Sequence, residues 1–305
     1  MQTIQLHPTL PAFSRIVYGA WRMNDDVDNA PTDALQKIQA ALDVGITTFD
    51  HADIYGDYSC ETLFGAALRL DASIKNRIQI VTKCDIMLKS EKYPERNFKH
   101  YDTSPAHIKA SVDASLARLG VDVIDVLLIH RPDPFMDATA TGACLDDLVK
   151  TGKIRAAGVS NFKTRDWDLL QANMTTPLVT NQLEISLLAR ESFTDGTLAQ
   201  AQQHKAPPMA WSPLGGGALF IDNESDGDGA AWRVRPALMR IAENYGVRTD
   251  AAAIAWLLAH PAKILPVLGT TQIPRIARLA DAFKVDMTRE MWFELFELAN
   301  GHEVA

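Results

Sequence analysis

Cysteine is scarce in this 305-residue chain: Cys60, Cys84 and Cys144 are odd in number, and no two of them form a Cys-x-x-Cys. A disulfide framework or a cysteine zinc cage is therefore not expected, and the three thiols read as buried packing residues. Metal-ligand spacing is missing too, because the eight histidines form no His-x-His and no His-Glu-x-x-His. His51, two residues before Asp53, is then better explained by loop packing than by a metal, and no metal is expected. Positive charge is in deficit. Thirty Lys and Arg against 38 Asp and Glu leave a net charge of −8, which argues against nucleic acid or an anionic membrane as a partner. Met1 to Ser14 has no Lys or Arg and no long apolar stretch, so neither a secretory leader nor a spanning helix is expected there, and the expected location is the cytoplasm. No linker-like break interrupts the chain, so one domain over residues 1–305 is the simplest organisation.

What the chain does contain is a repeated alternation. At 47% apolar residues it can build a large core, and an α/β barrel of this length is one ordinary domain. Thr3 to Leu6, followed by Pro11 and Phe13, suggests a short hairpin ahead of the main fold. Strands are then expected at residues 16–19, 46–49, 78–83, 123–129, 156–161, 178–182, 209–211 and 264–268, from β-branched and apolar runs bounded by turn residues. Helices are expected near residues 32–43, 59–69, 139–150 and 250–259. The clearest helix begins after Ser104, a capping residue followed by Pro105, carries Ile108, Val112, Leu116 and Leu119 on one face, and stops at Gly120. Eight strands alternating with helices imply a closed parallel (β/α)8 barrel of the TIM type. The segment after the seventh strand, Pro213 to Arg233, is too long for an ordinary connection and reads as a lid. Its acidic run starting at Asp222 does not fit a calcium loop, because the twelfth position is Arg233 and not the required Glu.

In such a barrel the chemistry stands at the C-terminal ends of the strands. Here those ends carry Asp50, Lys83, His130, Asn161, Gln182 and Trp211, a polar or aromatic residue after each apolar run. The stretch Gly45 to Gly56 is the most informative, since a buried strand runs directly into Asp50, Asp53 and Tyr55. A capping Asp and a half-buried loop Tyr would explain this stretch alone, but recurrence over six strands is hard to obtain from packing. The residue types suggest a proton donor. A phenol has a pKa of about 10, and a neighbouring ammonium such as Lys83 is expected to lower it, with Asp50 pairing with and fixing the lysine. Bringing a phenol down to about 8 takes roughly 3 kcal/mol of differential interaction, within the reach of one held charge in a dry pocket. His130 would hydrogen-bond the oxygen that receives the proton.

The motifs Gly45-x4-Asp50-x2-Asp53-x-Tyr55-Gly56, Lys83, Leu128-Ile129-His130, Gly158-Val159-Ser160-Asn161-Phe162, Asn181-Gln182 and Trp211-Ser212-Pro213-Leu214 together resemble the aldo-keto reductase family. The resemblance spans essentially the whole chain. His130-Arg131-Pro132-Asp133-Pro134 and Ala210 to Gly217 resemble the bacterial YdhF-like oxidoreductases within it. What the resemblance implies is a monomeric-type (β/α)8 barrel that reduces small aldehydes or ketones to alcohols with NADPH, through a tetrad of Asp50, Tyr55, Lys83 and His130. It also implies a cofactor set. Ser160, Asn161 and Gln182 would hold the nicotinamide carboxamide, Trp211 would stack on its ring, and Gly19, Ala20, Trp21 and Asp50 would line the same site. The segment Ser212-Pro213-Leu214-Gly215-Gly216-Gly217 would cover the pyrophosphate with backbone N–H groups, while Gly269-Thr270-Thr271 would lead a helix toward the adenosine phosphate, with Arg275 as its charged partner. Three positions depart from the family pattern: His51 stands where Thr is common, Trp211 where many relatives have Tyr, and Gly269 where many place a Lys.

Other readings remain alongside. Gly215-x-Gly217 lacks the third glycine of a dinucleotide turn, so the nucleotide inference rests on the family resemblance. Cys84 follows Lys83 and by alternation points to the opposite face. Trp21 is the favoured wall of an apolar substrate pocket, whereas Phe162 is as well explained by packing. The resembling family includes potassium-channel β subunits, so an NADPH-binding redox-sensing or regulatory subunit with weak turnover is the alternative function. A metal-dependent barrel hydrolase is a third, and would require bound metal.

Overall fold

The computed structural model describes residues 1–25, 30–221 and 229–305. In chain order the strands are β1 (Thr3–Ile4), β2 (Phe13–Ser14), β3 (Val17–Gly19), β4 (Thr48–Asp50), β5 (Gln79–Cys84), β6 (Ile86–Met87), β7 (His100–Tyr101), β8 (Ile124–Ile129), β9 (Ile154–Ser160), β10 (Leu178–Glu184), β11 (Met209–Trp211) and β12 (Leu265–Leu268). Strands β1 and β2 form the expected antiparallel hairpin, and β6 and β7 form a second one. The other eight close into a barrel in the order β3-β4-β5-β8-β9-β10-β11-β12, with every neighbouring pair parallel. The fold implied by the alternation is thus the fold observed.

Alternation along the strands divides the apolar residues between two environments. Val81, Val126, Leu128, Ala156, Val179, Met209, Leu265 and Val267 meet inside the barrel, together with Leu6, Leu10 and Phe13. The N-terminal hairpin segment therefore plugs one end. Ser14 locks it there, since its Oγ accepts from the N–H groups of Thr47 and Thr48, both at 3.1 Å, where β4 begins. Burying a side chain such as Phe13 contributes roughly 1.5–3 kcal/mol relative to leaving it exposed, so this plug is also part of the core. The opposite end stays open for chemistry. Outward-facing residues such as Cys84, Leu127, Ile129, Ala157 and Val159 pack under the helices with Ile108, Val112 and Leu145.

The helix Pro105–Leu119 starts and stops as its sequence requires: Ser104 Oγ accepts from the His107 N–H, and Gly120 closes the helix at φ 67°. It packs hard against the helix Cys60–Leu70, where a Cβ on Gly65 would lie 2.0 Å from the Arg118 carbonyl oxygen. Helices Thr164–Gln171 and Thr197–His204 escape the sequence pattern because eight residues show little periodicity, and Ala230–Tyr245 carries an interior Pro236. Arg289–Asn300 was also not anticipated. Among the described residues no helix is long and apolar enough to cross a membrane. The acidic stretch read as part of a lid, residues 222–228, lies outside the described residues.

Candidate active site

The loop after β4 places Tyr55 through an unusual turn. Gly56, Asp57 and Tyr58 follow it at φ values of 59°, 51° and 63°, all left-handed. Gly56 is required on two counts, since a Cβ there would also lie 2.7 Å from Cys60 Sγ and 2.8 Å from Ser59 Oγ. The loop is tied to its neighbours by backbone bonds that continue the barrel ladder: His51 N–H to Val81 O, Asp53 N–H to Lys83 O, and Ala20 N–H to Asp50 O. His51 itself is fully buried, edge-on to Phe64 at 4.4 Å, and burial followed by the Lys83 charge depresses its pKa to about 3. It sits in the core as a neutral ring.

Asp50, Tyr55, Lys83 and His130 come together at the open end. Lys83 is completely buried, and its ammonium reaches Asp50 Oδ1 at 2.9 Å, Asp50 Oδ2 at 2.8 Å, His51 O at 2.7 Å and Tyr55 Oη at 2.9 Å. Gln182 Nε2 donates to Asp50 Oδ1 at 2.8 Å, closing the network from β10. Burial alone would lower the Lys83 pKa, but Asp50 and then Tyr55 outweigh it and hold the lysine charged. For Tyr55 the balance falls the other way. Burial is the largest influence and raises the phenol, Lys83 opposes it, Asp50 adds to the rise, and the net direction is up. The expectation that Lys83 would leave this phenol below its usual range is corrected: the ammonium is where it was expected, but burial wins. Because Lys83 donates to the phenol oxygen, the phenol's own hydrogen remains available to the cavity. His130 stands edge-on to Tyr55, ring centroids 6.1 Å apart, and burial, followed by Lys83, Arg131 and Lys99, pushes its pKa well below the ordinary value. It is therefore neutral at pH 7.

A cavity of about 500 Å³ opens above these groups, lined by Tyr55 and His130 and continuing past Trp211 to Gly269 and Arg275. Gly19, Trp21, Asp50, Ser160, Asn161, Gln182, Trp211, Ser212, Pro213, Leu214, Gly269, Thr270, Thr271 and Arg275 all reach its wall, so most of the anticipated cofactor set shares one space. Ala20 and Gly215 do not. Ala20 is fully buried beneath, and Gly215 faces Leu188, with Gly216 and Gly217 taking the wall instead. Arg22, Arg131, Gln272 and Asp250 are wall residues that the sequence reading did not single out. The first two directly follow Trp21 and His130, a signal that was available. Asn161, at φ 60°, accepts from Trp211 Nε1 at 3.0 Å and donates to Ser160 Oγ at 2.8 Å, which fixes the indole beside the strand end. The helix that Gly269-Thr270-Thr271 leads is the single turn Ile273–Ile276. Cys84 packs outside the barrel and Phe162 is core, while Trp21 is 59% exposed at the rim.

The open barrel end thus brings a buried Asp–Lys pair, a phenol and a neutral imidazole together beside one elongated cavity. The chain belongs to the Aldo/keto reductase family, whose profile matches residues 15–300. It is similar to 6-dehydroglucose reductase of Agrobacterium fabrum, 52% identical over 305 residues covering 100% of both chains. Oxidoreductase YdhF of Escherichia coli is 40% identical over 305 residues, covering 100% of this chain and 99% of the other. Among solved structures, an aldo/keto reductase from Klebsiella pneumoniae in complex with NADP and acetate superposes with a TM-score of 0.75 at 26% identity, covering 96% of this chain and 93% of that one.

Proposed function

We propose that this protein is an NADPH-dependent reductase of aldehydes or ketones in which Tyr55 delivers the proton. The observation that carries the reading is the Tyr55 hydroxyl held by Lys83 at 2.9 Å, protonated and facing the cavity. The residues present suit the cofactor: the cavity extends well beyond what a small carbonyl needs, Gly216 and Gly217 leave open space along it, and Arg275 stands at its far part. When bound, NADPH supplies the hydride. The chain's own residues do the rest. Tyr55 donates its hydroxyl hydrogen to the carbonyl oxygen as charge develops there, and the Lys83 N–H, already on the phenol oxygen, stabilises the phenolate left behind. Asp50 keeps Lys83 charged and in place, and His130 offers a neutral N–H to the same carbonyl oxygen. The phenolate then recovers a proton from water.

Ser160, Asn161 and Gln182 hold the carboxamide in this reading. Gln182 Nε2 donates to Asp50 Oδ1 and to Met209 Sδ, which leaves Oε1 to accept from the ligand. Trp211, braced by Asn161, forms the ring platform, Ser212 to Gly217 follow the pyrophosphate, and Arg275 meets the 2′-phosphate. The whole chain acts as one barrel unit. The relatives make a sugar 6-aldehyde a natural member of a carbonyl panel. The test is absorbance loss of NADPH at fixed enzyme across that panel. Turnover well above the uncatalysed rate supports the reading, whereas tight NADPH binding with no turnover on any carbonyl would favour a regulatory subunit.

A further inference from the structure

Two guanidinium groups stand at the carbonyl end of the cavity without a part in proton transfer. Arg131 directly follows His130, is half-buried, and has its backbone N–H fixed by Asp85 Oδ2 at 3.0 Å. Arg22 follows Trp21 and lies over its ring, Cζ 5.6 Å from the centroid. The Arg22 segment is pinned to the Tyr55 loop, since Asn24 Nδ2 donates to Ser59 Oγ at 2.8 Å and Cys60 Sγ to Trp21 O at 3.7 Å. Both arginines line the same cavity as Tyr55 and His130. Among the described residues neither makes an ion pair. Among the described residues two carboxylates share the wall: Asp50, which Lys83 neutralises, and Asp250, which Arg248 pairs at 3.3 Å. Lys99 adds a further positive charge acting on His130. In a chain of net charge −8, this end of the cavity presents two guanidinium groups that no carboxylate among the described residues pairs.

Resting on the reductase reading, we propose that the preferred substrate is a carbonyl compound carrying a carboxylate a few bonds from the reacting carbon, received by Arg131 with help from Arg22. A guanidinium offers only donors, and its planar fork matches a carboxylate in two parallel bonds. A cleft lined by one sign of charge also gathers oppositely charged substrate. The contact lies away from the reacting atoms, so it acts on binding and lowers KM more than it raises kcat.

The experiment compares size-matched pairs at saturating NADPH: 4-carboxybenzaldehyde with 4-methylbenzaldehyde, and succinic semialdehyde with butanal. Wild type is expected to favour the carboxylated member by about tenfold or more in kcat/KM, a factor that corresponds to roughly 1.4 kcal/mol. Most of the difference should sit in KM, and it should shrink in about 0.5 M salt. Arg131→Ala should bring the ratio toward one, Arg131→Lys should keep part of it, and Arg22→Ala should reduce it less because Arg22 is exposed. Equal kcat/KM for both members in wild type overturns this inference and leaves the reductase reading standing, as does a ratio that neither alanine substitution moves. No NADPH oxidation with any of the four overturns this inference, and only if the sugar 6-aldehyde and the rest of the carbonyl panel are also inert does the reductase reading fall with it.

Discussion

Replacing Tyr55 by Phe removes one oxygen atom and separates proton donation from everything else the site does. The structural cost is small. Lys83 has three N–H donors for four acceptors, and after the substitution Asp50 Oδ1, Asp50 Oδ2 and His51 O still take all three. A single net hydrogen bond contributes about 0.5–1.5 kcal/mol, so the melting temperature should drop by no more than a few degrees. The catalytic cost is large, because losing a general acid typically lowers the rate about 10²- to 10⁴-fold, or roughly 2.7–5.5 kcal/mol of barrier. NADPH affinity, followed by fluorescence titration, should stay within about twofold of wild type, since the phenol points at the substrate carbonyl in this reading. The assay is steady-state NADPH oxidation beside that titration and a thermal melt. Turnover near wild type would refute the assignment of Tyr55 as donor. A parallel loss of NADPH affinity would show that the phenol serves the cofactor instead.

Three further outcomes follow from the same geometry. Lys83→Met leaves the Asp50 carboxylate, 3% exposed, with Gln182 as its one side-chain donor among the described residues, so stability by urea titration should fall by about 3–5 kcal/mol; a loss below about 1 kcal/mol would mean the pair does not act as a buried ion pair. Asp53 is buried, and burial, reinforced by Glu61, raises its pKa from 3.8 to about 8. The fold therefore keeps a proton there that the unfolded chain releases, and this stabilisation is full below 3.8 and lost as pH rises through 8. His51, neutral in the fold, acts in the opposite sense only below pH 6.5. Between pH 6.5 and 8 the Asp53 share of stability should thus decline by roughly 1.5–2 kcal/mol, and Asp53→Asn should remove that decline; an unchanged slope in the variant refutes the shift. Finally, Arg275→Ala should raise the Michaelis constant for NADPH by about tenfold and leave that for NADH nearly unmoved, as expected for a charge-assisted contact with the extra phosphate; equal weakening of both would place Arg275 on the adenine.

The alternation of short apolar runs with helical patterns was enough to imply eight parallel strands, and a closed barrel then follows from how such units pack. Local chemistry at element ends was equally legible, as Ser104 and Gly120 show, because capping and left-handed stops depend on a few neighbouring atoms. The residues at the strand ends were also visible in order, and all of Asp50, Tyr55, Lys83 and His130 converge where that order implied. Phase and burial were not. Val179 packs inside the barrel and Gln182 reaches Asp50, an odd spacing that strict alternation forbids. A register shift between Leu178 and Asn181 resolves it, and that shift depends on the pairing with β9. The sign of the Tyr55 shift likewise depends on how much apolar surface surrounds the phenol, a quantity no spacing encodes. Arg22 and Arg131 stood in plain view beside Trp21 and His130, yet only the closed barrel brings residues more than a hundred positions apart to one wall, where neither has an ion-pair partner among the described residues.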